Sequence, residues 1–380
     1  MGILANTVSI SQFDVVGEEY DSSEIGSRIG ACLQEQAFVS IETGSEEQAL
    51  GWVELDDFTS AEFADNERWR RDNYVVFTLR RDQRRLPTAL LKGELAAQQQ
   101  RFLTANPTFN RVPKQKNEEL KELVRQRLLA RTLPTPTLYD VMWNLDSGRL
   151  TFASVSMRAI DELCDLFQKT FPGLRLLLVH PLQRARALVP APLRAAWAQL
   201  DNGGEAPVLQ QIEDGAWLGG EFMLWLMYRT AAGNCTYSQQ DGDNVTAWLD
   251  NRFLLAGSGN EGAQKVTITG PQDNFAEVCA ALRQEKQLLE ATIHLEQEEN
   301  QWRLNLKGGL FQFGSFKCPA VRVDRSVAAE DEQVSIFYER AFVLERGLEL
   351  FDAVLAAFLA CRLGTDWPDE QQRITQWLEG

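Results

Sequence analysis

The chain has 380 residues, 44% of them hydrophobic with 10 Trp and 20 Phe, a composition that buries enough apolar surface to offset the entropy of folding and excludes a disordered chain. Its 54 Asp and Glu against 38 Lys and Arg leave a net charge of −16, which confines any contact with a polyanion to a restricted part of the surface. The six cysteines (Cys32, Cys164, Cys235, Cys279, Cys318, Cys361) are dispersed with no CxxC pair, so they read as reduced thiols of a cytoplasmic protein rather than as a disulfide framework or zinc site.

In chain order, residues 1–16 show no basic region leading into a long apolar run, and nothing there marks export. Val8, Ile10, Phe13 and Val15 alternate with polar neighbours as a strand does. A helix is predicted over Ser22–Gln36, then strands over Ala37–Glu42, Leu50–Leu55 and Tyr74–Arg80, the last rich in the β-formers Val75, Val76 and Phe77. Pro87 suits the first turn of a helix reaching about Leu103, and Pro107 closes it. A second helix, Gln115–Ala130, ends at the Pro134/Pro136 pair. Around it Lys114, Lys121 and Arg125 share a stripe beside Glu118, while Leu120, Val124 and Leu128 lie on a neighbouring, packing face. Strands Leu138–Leu145 and Arg149–Val155 enclose Asp146-Ser147-Gly148 as a hairpin turn. Helical spacing of Ile160, Leu163, Cys164 and Phe167 follows, then a buried-looking strand, Leu174–Val179.

The polar, Gly-rich stretch Asp201–Glu205 reads as a boundary. Beyond it come a helix around Glu221–Thr230, strands near Val245 and Val266, and a helix from Asn274 to about Glu285. A long hairpin is predicted from the alternating segments Ala291–Glu296 and Trp302–Lys307. The last element is a long helix, Val334–Leu363, with Phe337, Phe342, Leu344, Leu348, Phe351, Val354 and Phe358 along one side. Trp217–Tyr228 is too short to span a membrane and is interrupted by Glu221, so it reads as a buried helix and no membrane partner is expected. Strands and helices mix without a βαβ rhythm, which predicts an α+β fold of antiparallel sheets with packed helices.

Charge is the most informative pattern. Between Arg68 and Arg131 the chain carries 16 Lys or Arg against 6 Asp or Glu, about +10, while the rest carries about −26. Arg80, Arg81, Arg84 and Arg85 gather where the strand is expected to give way to the helix, where side chains fan outward. Arg111, Lys114 and Lys116 open the second helix, and Arg125, Arg127 and Arg131 close it. Such clusters fit phosphate contacts, which supply affinity and register without reading bases. A solvated helix face is the plain reading of any one of them, and three clusters within about fifty residues of an acidic chain favour nucleic acid.

Other chemistries find weaker support. Gly257-Ser-Gly259-Asn-Glu-Gly262 has the glycine spacing of a dinucleotide loop, but a strand-like Lys265–Thr269 follows where that mechanism needs a helix, so a hairpin loop is expected. There is no GxxxxGK[ST] sequence. His180 and His294 stand far apart in dissimilar contexts and read as structural. The carboxylate pairs Asp56-Asp57 and Asp241/Asp243 are the nearest approach to the metal cluster of a magnesium nuclease, and both sit in turn-forming contexts. No catalytic residue, metal or cofactor is assigned.

The run Arg80-Arg-Asp-Gln-Arg-Arg-Leu86-Pro87-Thr-Ala-Leu-Leu-Lys92, then Lys114-Gln-Lys116-Asn-Glu-Glu-Leu120-Lys-Glu-Leu123, Leu128-Leu-Ala-Arg131 and Val141-Met-Trp143-Asn-Leu145, resembles in order and spacing the central part of the bacterial recombination-associated RdgC family. Ala37-Phe38 and Gly51-Trp52-Val53 upstream, and Glu285-Lys286, Trp302-Arg-Leu304-Asn-Leu306 and Phe342-Val-Leu344 downstream, are similar to further parts of it. The chain is longer than the common form of that family, mainly between about 180 and 260. Where the family carries an aromatic residue at a finger-like tip, this chain has Leu133 beside Pro134. The resemblance implies a multi-domain, elongated protomer whose homodimer closes into a ring around double-stranded DNA in the nucleoid. It also implies sequence-independent binding and restraint of RecA-type recombinase through competition for DNA.

These readings together predict a non-enzymatic DNA-binding protein. Its phosphate contacts would come from Arg80, Arg81, Arg84, Arg85, Lys92, Lys114, Lys116, Lys121, Arg125, Arg127 and Arg131. The expected domains are residues 1–85 with 138–200, a helical basic finger over 86–137, and a C-terminal α+β domain over 201–380. The alternatives are a metal-dependent exonuclease, a label attached to the family, and an interaction module whose basic block docks an acidic protein.

Overall fold

The computed structural model describes residues 2–17, 22–44, 46–200, 208–239, 242–259, 262–271, 274–321 and 329–380. The expected boundary at 201–205 lies outside the described residues, as do Asp241 and residues 260 and 261 of the glycine-spaced loop. The fold is mixed α and β with antiparallel sheet pairing. The elements in order are β1 (Thr7–Gly17), α1 (Ser22–Glu35), β2 (Gln48–Val53), α2 (Asn66–Trp69), β3 (Arg70–Arg71), β4 (Tyr74–Gln83), α3 (Thr88–Ala105), α4 (Lys114–Leu129), β5 (Thr135–Asn144), β6 (Arg149–Phe152), α5 (Met157–Thr170) and β7 (Leu174–Leu178). They continue with α6 (Pro181–Leu188), α7 (Arg194–Leu200), α8 (Val208–Ala231), β8 (Thr236–Ser238), β9 (Asn244–Gly259), β10 (Gly262–Thr269), α9 (Ala276–Arg283), β11 (Gln287–Gln297), β12 (Asn300–Lys307), β13 (Gln312–Lys317), α10 (Ala329–Leu363) and α11 (Trp367–Glu379). Among the described residues no helix is long and apolar enough to cross a membrane.

The chain divides into two compact units, one of residues 17–145 with 163–175 and the other of residues 1–16, 146–162 and 176–380. In the first, β4 is central and pairs antiparallel with β2, β3 and β5, in register from Tyr74 opposite Asn144 to Gln83 opposite Thr135. Val75, Val76, Phe77 and Leu79 are fully buried, with Trp52 set edge-on against Phe77 at 4.8 Å and donating its indole N–H to Thr170 at 2.7 Å. Trp143, Phe167 and Phe171 form a second aromatic group. Gly51 is required by a close approach, since a Cβ there would stand 2.4 Å from the Cα of Phe38.

One predicted strand does not form. After a single parallel bridge between Ala37 and Trp52 the chain leaves the sheet, and the carbonyls of Ile41, Glu42, Gly44 and Glu46 all point at the guanidinium of Arg84. Those carbonyls find a buried cation in place of a strand partner, which satisfies them as well as a ladder would.

In the larger unit the strands run β10-β9-β11-β12-β13-β1-β6, with β8 added beside β9. Inward residues such as Phe253, Ile293, Leu304 and Phe313 meet α8 and α10 through Phe222, Phe351 and Phe358, stacked edge to face. Glycines 257 and 259 lie in β9 and Gly262 in β10, paired Gly262 to Gly259, so the glycine spacing belongs to a β-hairpin. Trp217–Tyr228 lies within α8, where Leu218, Phe222, Met223, Trp225, Leu226 and Met227 are buried. On α10, Phe342 is 66% exposed, unlike the other apolar residues assigned to its buried side. It lies five residues from Phe337 and so about 140° around the helix. α2, β3, α6, α7, β8, β13 and α11 are not marked by the sequence pattern.

Candidate nucleic-acid interface

The basic block folds into two different structures. Its first part is the end of β4, which continues through Gln83 and so takes Arg80 and Arg81 into the sheet. Alternation along the strand and pairing on both sides fix where each side chain goes. Arg80 lies across the ring of Phe38 at 4.2 Å and makes two 2.8 Å bonds to Asp82. Arg81 is buried against Tyr139, and Arg84 is 2% exposed. The outward fan expected of this cluster is therefore corrected: Arg81 and Arg84 are interior residues of the unit, and Arg80 is neutralised by its neighbour. Of the four, only Arg85 is exposed. The spacing RRDQRR carried no sign of this, because strand continuation past Arg80 depends on β2 and β5 lying on either side.

The second part is an antiparallel helical arm. Pro87 precedes α3 with φ −59°, and Pro113 precedes α4 with φ −57°, values that suit a helix start. The two helices are tied by Gln99 donating to Asn117 at 2.6 Å, and Phe102 meets Phe109 of the connecting loop, 5.9 Å between centroids. No residue between 88 and 123 is buried. The arm is rooted through the far end of α4, where Val124, Leu128 and Leu129 enter the core.

Residues 86–137 contain nine Lys or Arg against four Glu. Lys92, Lys114, Lys121, Arg127 and Arg131 are exposed, and so are Arg101 and Arg111, which were not among the expected phosphate contacts. None of these seven forms an ion pair among the described residues. Arg101 stands alone in an Ala- and Gln-rich run, so no cluster marked it. Two expected contacts are partly engaged: Lys116 pairs with Glu119 at 2.8 Å one turn on, and Arg125 with Glu47. The Arg125 bond holds the Glu47 carboxyl below its ordinary value. Both pairs are solvent-exposed, so a phosphate can displace the carboxylate at little cost. Leu133, past the end of α4, is 78% exposed, and Leu90, Phe109 and Leu123 add further exposed apolar surface to the arm.

The carboxylates considered for metal binding are held by local structure. Asp56 pairs with Arg71. Asp57 accepts from the Thr59 N–H at 2.9 Å and from its hydroxyl at 2.6 Å, which lowers its carboxyl below the ordinary range. Asp243 lies 3.8 Å from Arg346. His180 is buried at the start of α6, and His294 stacks on Trp248 at 5.2 Å with Asn251 beside it.

No curated protein matches the chain. Residues 21–199, which contain the arm and most of the smaller unit, match the family model described as "Putative exonuclease, RdgC". Residues 21–199, somewhat under half of the chain, are therefore similar to the RdgC family.

Proposed function

We propose that the chain binds double-stranded DNA through the phosphate contacts of its helical arm, without reading sequence. The observation that carries this is the set of exposed cations with no carboxylate partner among the described residues, on a hairpin with nothing buried over 36 residues, in a protein of net charge −16. An arm built this way adds little to its own unit's core, and its charges repel one another until a polyanion meets them. The match of residues 21–199 to the RdgC family supports a recombination-associated, DNA-binding reading, which agrees with the electrostatics. Two copies would close into a ring on the duplex, so that the lining and the acidic exterior differ in sign. Occupying DNA in this way would restrain a RecA-type recombinase.

The test is the salt dependence of binding. Each phosphate contact contributes about 0.9 to the slope of log affinity against log salt. Arg127→Gln with Arg131→Gln should lower that slope by about 1.8 on duplexes of unrelated sequence. Affinity that is indifferent to salt sinks the proposal. Ring closure is read separately, by the mass and projected shape of the particle in solution.

The second reading rests on the words of the family description. Incubation with end-labelled duplex, with and without magnesium or manganese, decides it: progressive loss of label from the ends would make the chain an exonuclease.

A further inference from the structure

The larger unit has a sheet face whose charge pattern is unfavourable as it stands. On β12 and β13, Arg303 and Lys317 are directly paired across the strands, and both are exposed. Like charges placed opposite one another destabilise a sheet. No carboxylate pairs with either among the described residues, nor with Lys307, two side-chain repeats further along β12 on the same face. Glu290, opposite Lys307, is instead turned to Arg252 at 4.0 Å and accepts from Asn305 at 3.0 Å.

Beside these cations lies a hollow lined by Thr7, Ser9, Ser154, Ser156, Ser315 and Lys307. Thr7 sits opposite Lys317 in the ladder, so the hydroxyls and the cations form one continuous patch. Ser315 holds φ +46°, a left-handed conformation that costs a non-glycine residue energy and concentrates at ligand-holding positions. Its N–H is already satisfied by the Ser9 oxygen at 2.9 Å, which leaves both hydroxyl hydrogens available to an acceptor. Between Arg303 and Lys307 the strand rises about 13 Å, close to four base-pair steps along a duplex.

We propose that this face is a second contact for the phosphate backbone of double-stranded DNA. Arg303, Lys317 and Lys307 neutralise phosphates, and the serine hydroxyls donate to phosphate oxygens. The proposal rests on the DNA-binding reading of the arm, and the experiment separates the two.

Duplex affinity is measured by fluorescence anisotropy across a salt series for the wild type, the Arg303→Gln/Lys317→Gln double variant, the arm variant Arg127→Gln/Arg131→Gln, and Lys169→Gln, an exposed cation on neither surface. The sheet variant should lower the slope by about 1.8 and weaken binding about 30-fold at 0.15 M salt. Its melting temperature should be unchanged or higher, since the opposed charges are gone. An unchanged slope for the sheet variant with a lowered slope for the arm variant overturns the second contact and leaves the arm standing. Salt-independent binding by the wild type overturns both. A loss equalled by Lys169→Gln, or a loss of binding to a polyacidic protein while duplex binding stays at the wild-type level, also overturns it.

Discussion

Arg84 and Arg127 look alike in the sequence and should respond oppositely to substitution. Arg84 is 2% exposed and donates to the carbonyls of Ile41 at 2.6 Å, Glu42 at 3.0 Å, Gly44 at 2.7 Å and Glu46 at 3.1 Å. A hydrogen bond to a charged group contributes about 1.5–3 kcal/mol. Four of them on one group do not add, because the loop can relax toward water once the cation is gone. Removing one partner of a buried charged network costs about 3–5 kcal/mol, and that is the loss expected for Arg84→Ala. Against a typical stability of about 5–15 kcal/mol this is a large fraction. Lysine, with three donors on a point charge, cannot span four carbonyls as a planar fork does, so Arg84→Lys should recover only part of the loss.

The assay pairs urea unfolding with amide hydrogen exchange over residues 38–47. Arg84→Ala should lower the midpoint and abolish protection of this loop, while the salt slope of DNA binding by the folded fraction stays at the wild-type value. Arg127→Ala should do the reverse, changing stability by less than about 0.5 kcal/mol and the slope by about 0.9. If Arg84→Ala left stability intact and lowered the slope, the assignment of the two arginines to fold and to binding would be wrong.

Burial holds the His294 pKa below its ordinary 6.5, so the native state binds fewer protons than the unfolded state there. Its contribution is present above about pH 6.5 and is lost as pH falls through the native value. His294→Gln should therefore narrow its stability gap to the wild type between pH 7 and pH 5 in urea titrations, and a pH-independent gap would refute this. Burial pushes the Cys318 thiol up to about 12, so in native protein at pH 8.5 iodoacetamide should label Cys318 far more slowly than Cys164 by mass spectrometry. Gly51→Ala must displace the backbone at Phe38 and should cost about 1–3 kcal/mol, seen as a lower melting temperature.

Where a single periodicity decides an element, the sequence was enough. Pro87 marks the start of the first arm helix, the second begins within a residue of Gln115, the face of Val124 and Leu128 is the one that packs, and Gly148 turns the chain at φ +65°. Elements whose existence depends on distant partners were hidden. Residues 37–42 have the pattern of a strand and lose it to Arg84, over forty positions away. β13 is flanked at Phe311 and broken at Ser315 by left-handed residues that disrupt its alternation. The site divides along the same line. Cations on the arm could be placed because nothing covers them, whereas the fate of Arg80, Arg81 and Arg84 is set by β2, β5 and the 41–46 loop. Arg303 and Lys317 are fourteen residues apart, and only strand register shows that they face each other.

An arm with no buried residue from 88 to 123 has little besides its own backbone bonds to hold it helical, and short isolated helices in water are marginal. The Gln99–Asn117 bond ties the helices together and Phe102 holds Phe109 of the connecting loop, while seven cations with no ion pair among the described residues repel one another. The free arm should consequently open at low free-energy cost, and its amides should exchange much faster than those of Val75–Leu79 in the buried sheet. Bound phosphates remove the repulsion and should slow exchange along both helices, most at Arg111–Lys121 where the cations lie nearest the tip. Higher salt without DNA should give a weaker form of the same protection by screening alone. Exchange over residues 88–123 that is equally fast with and without saturating duplex would mean that the arm does not hold the DNA.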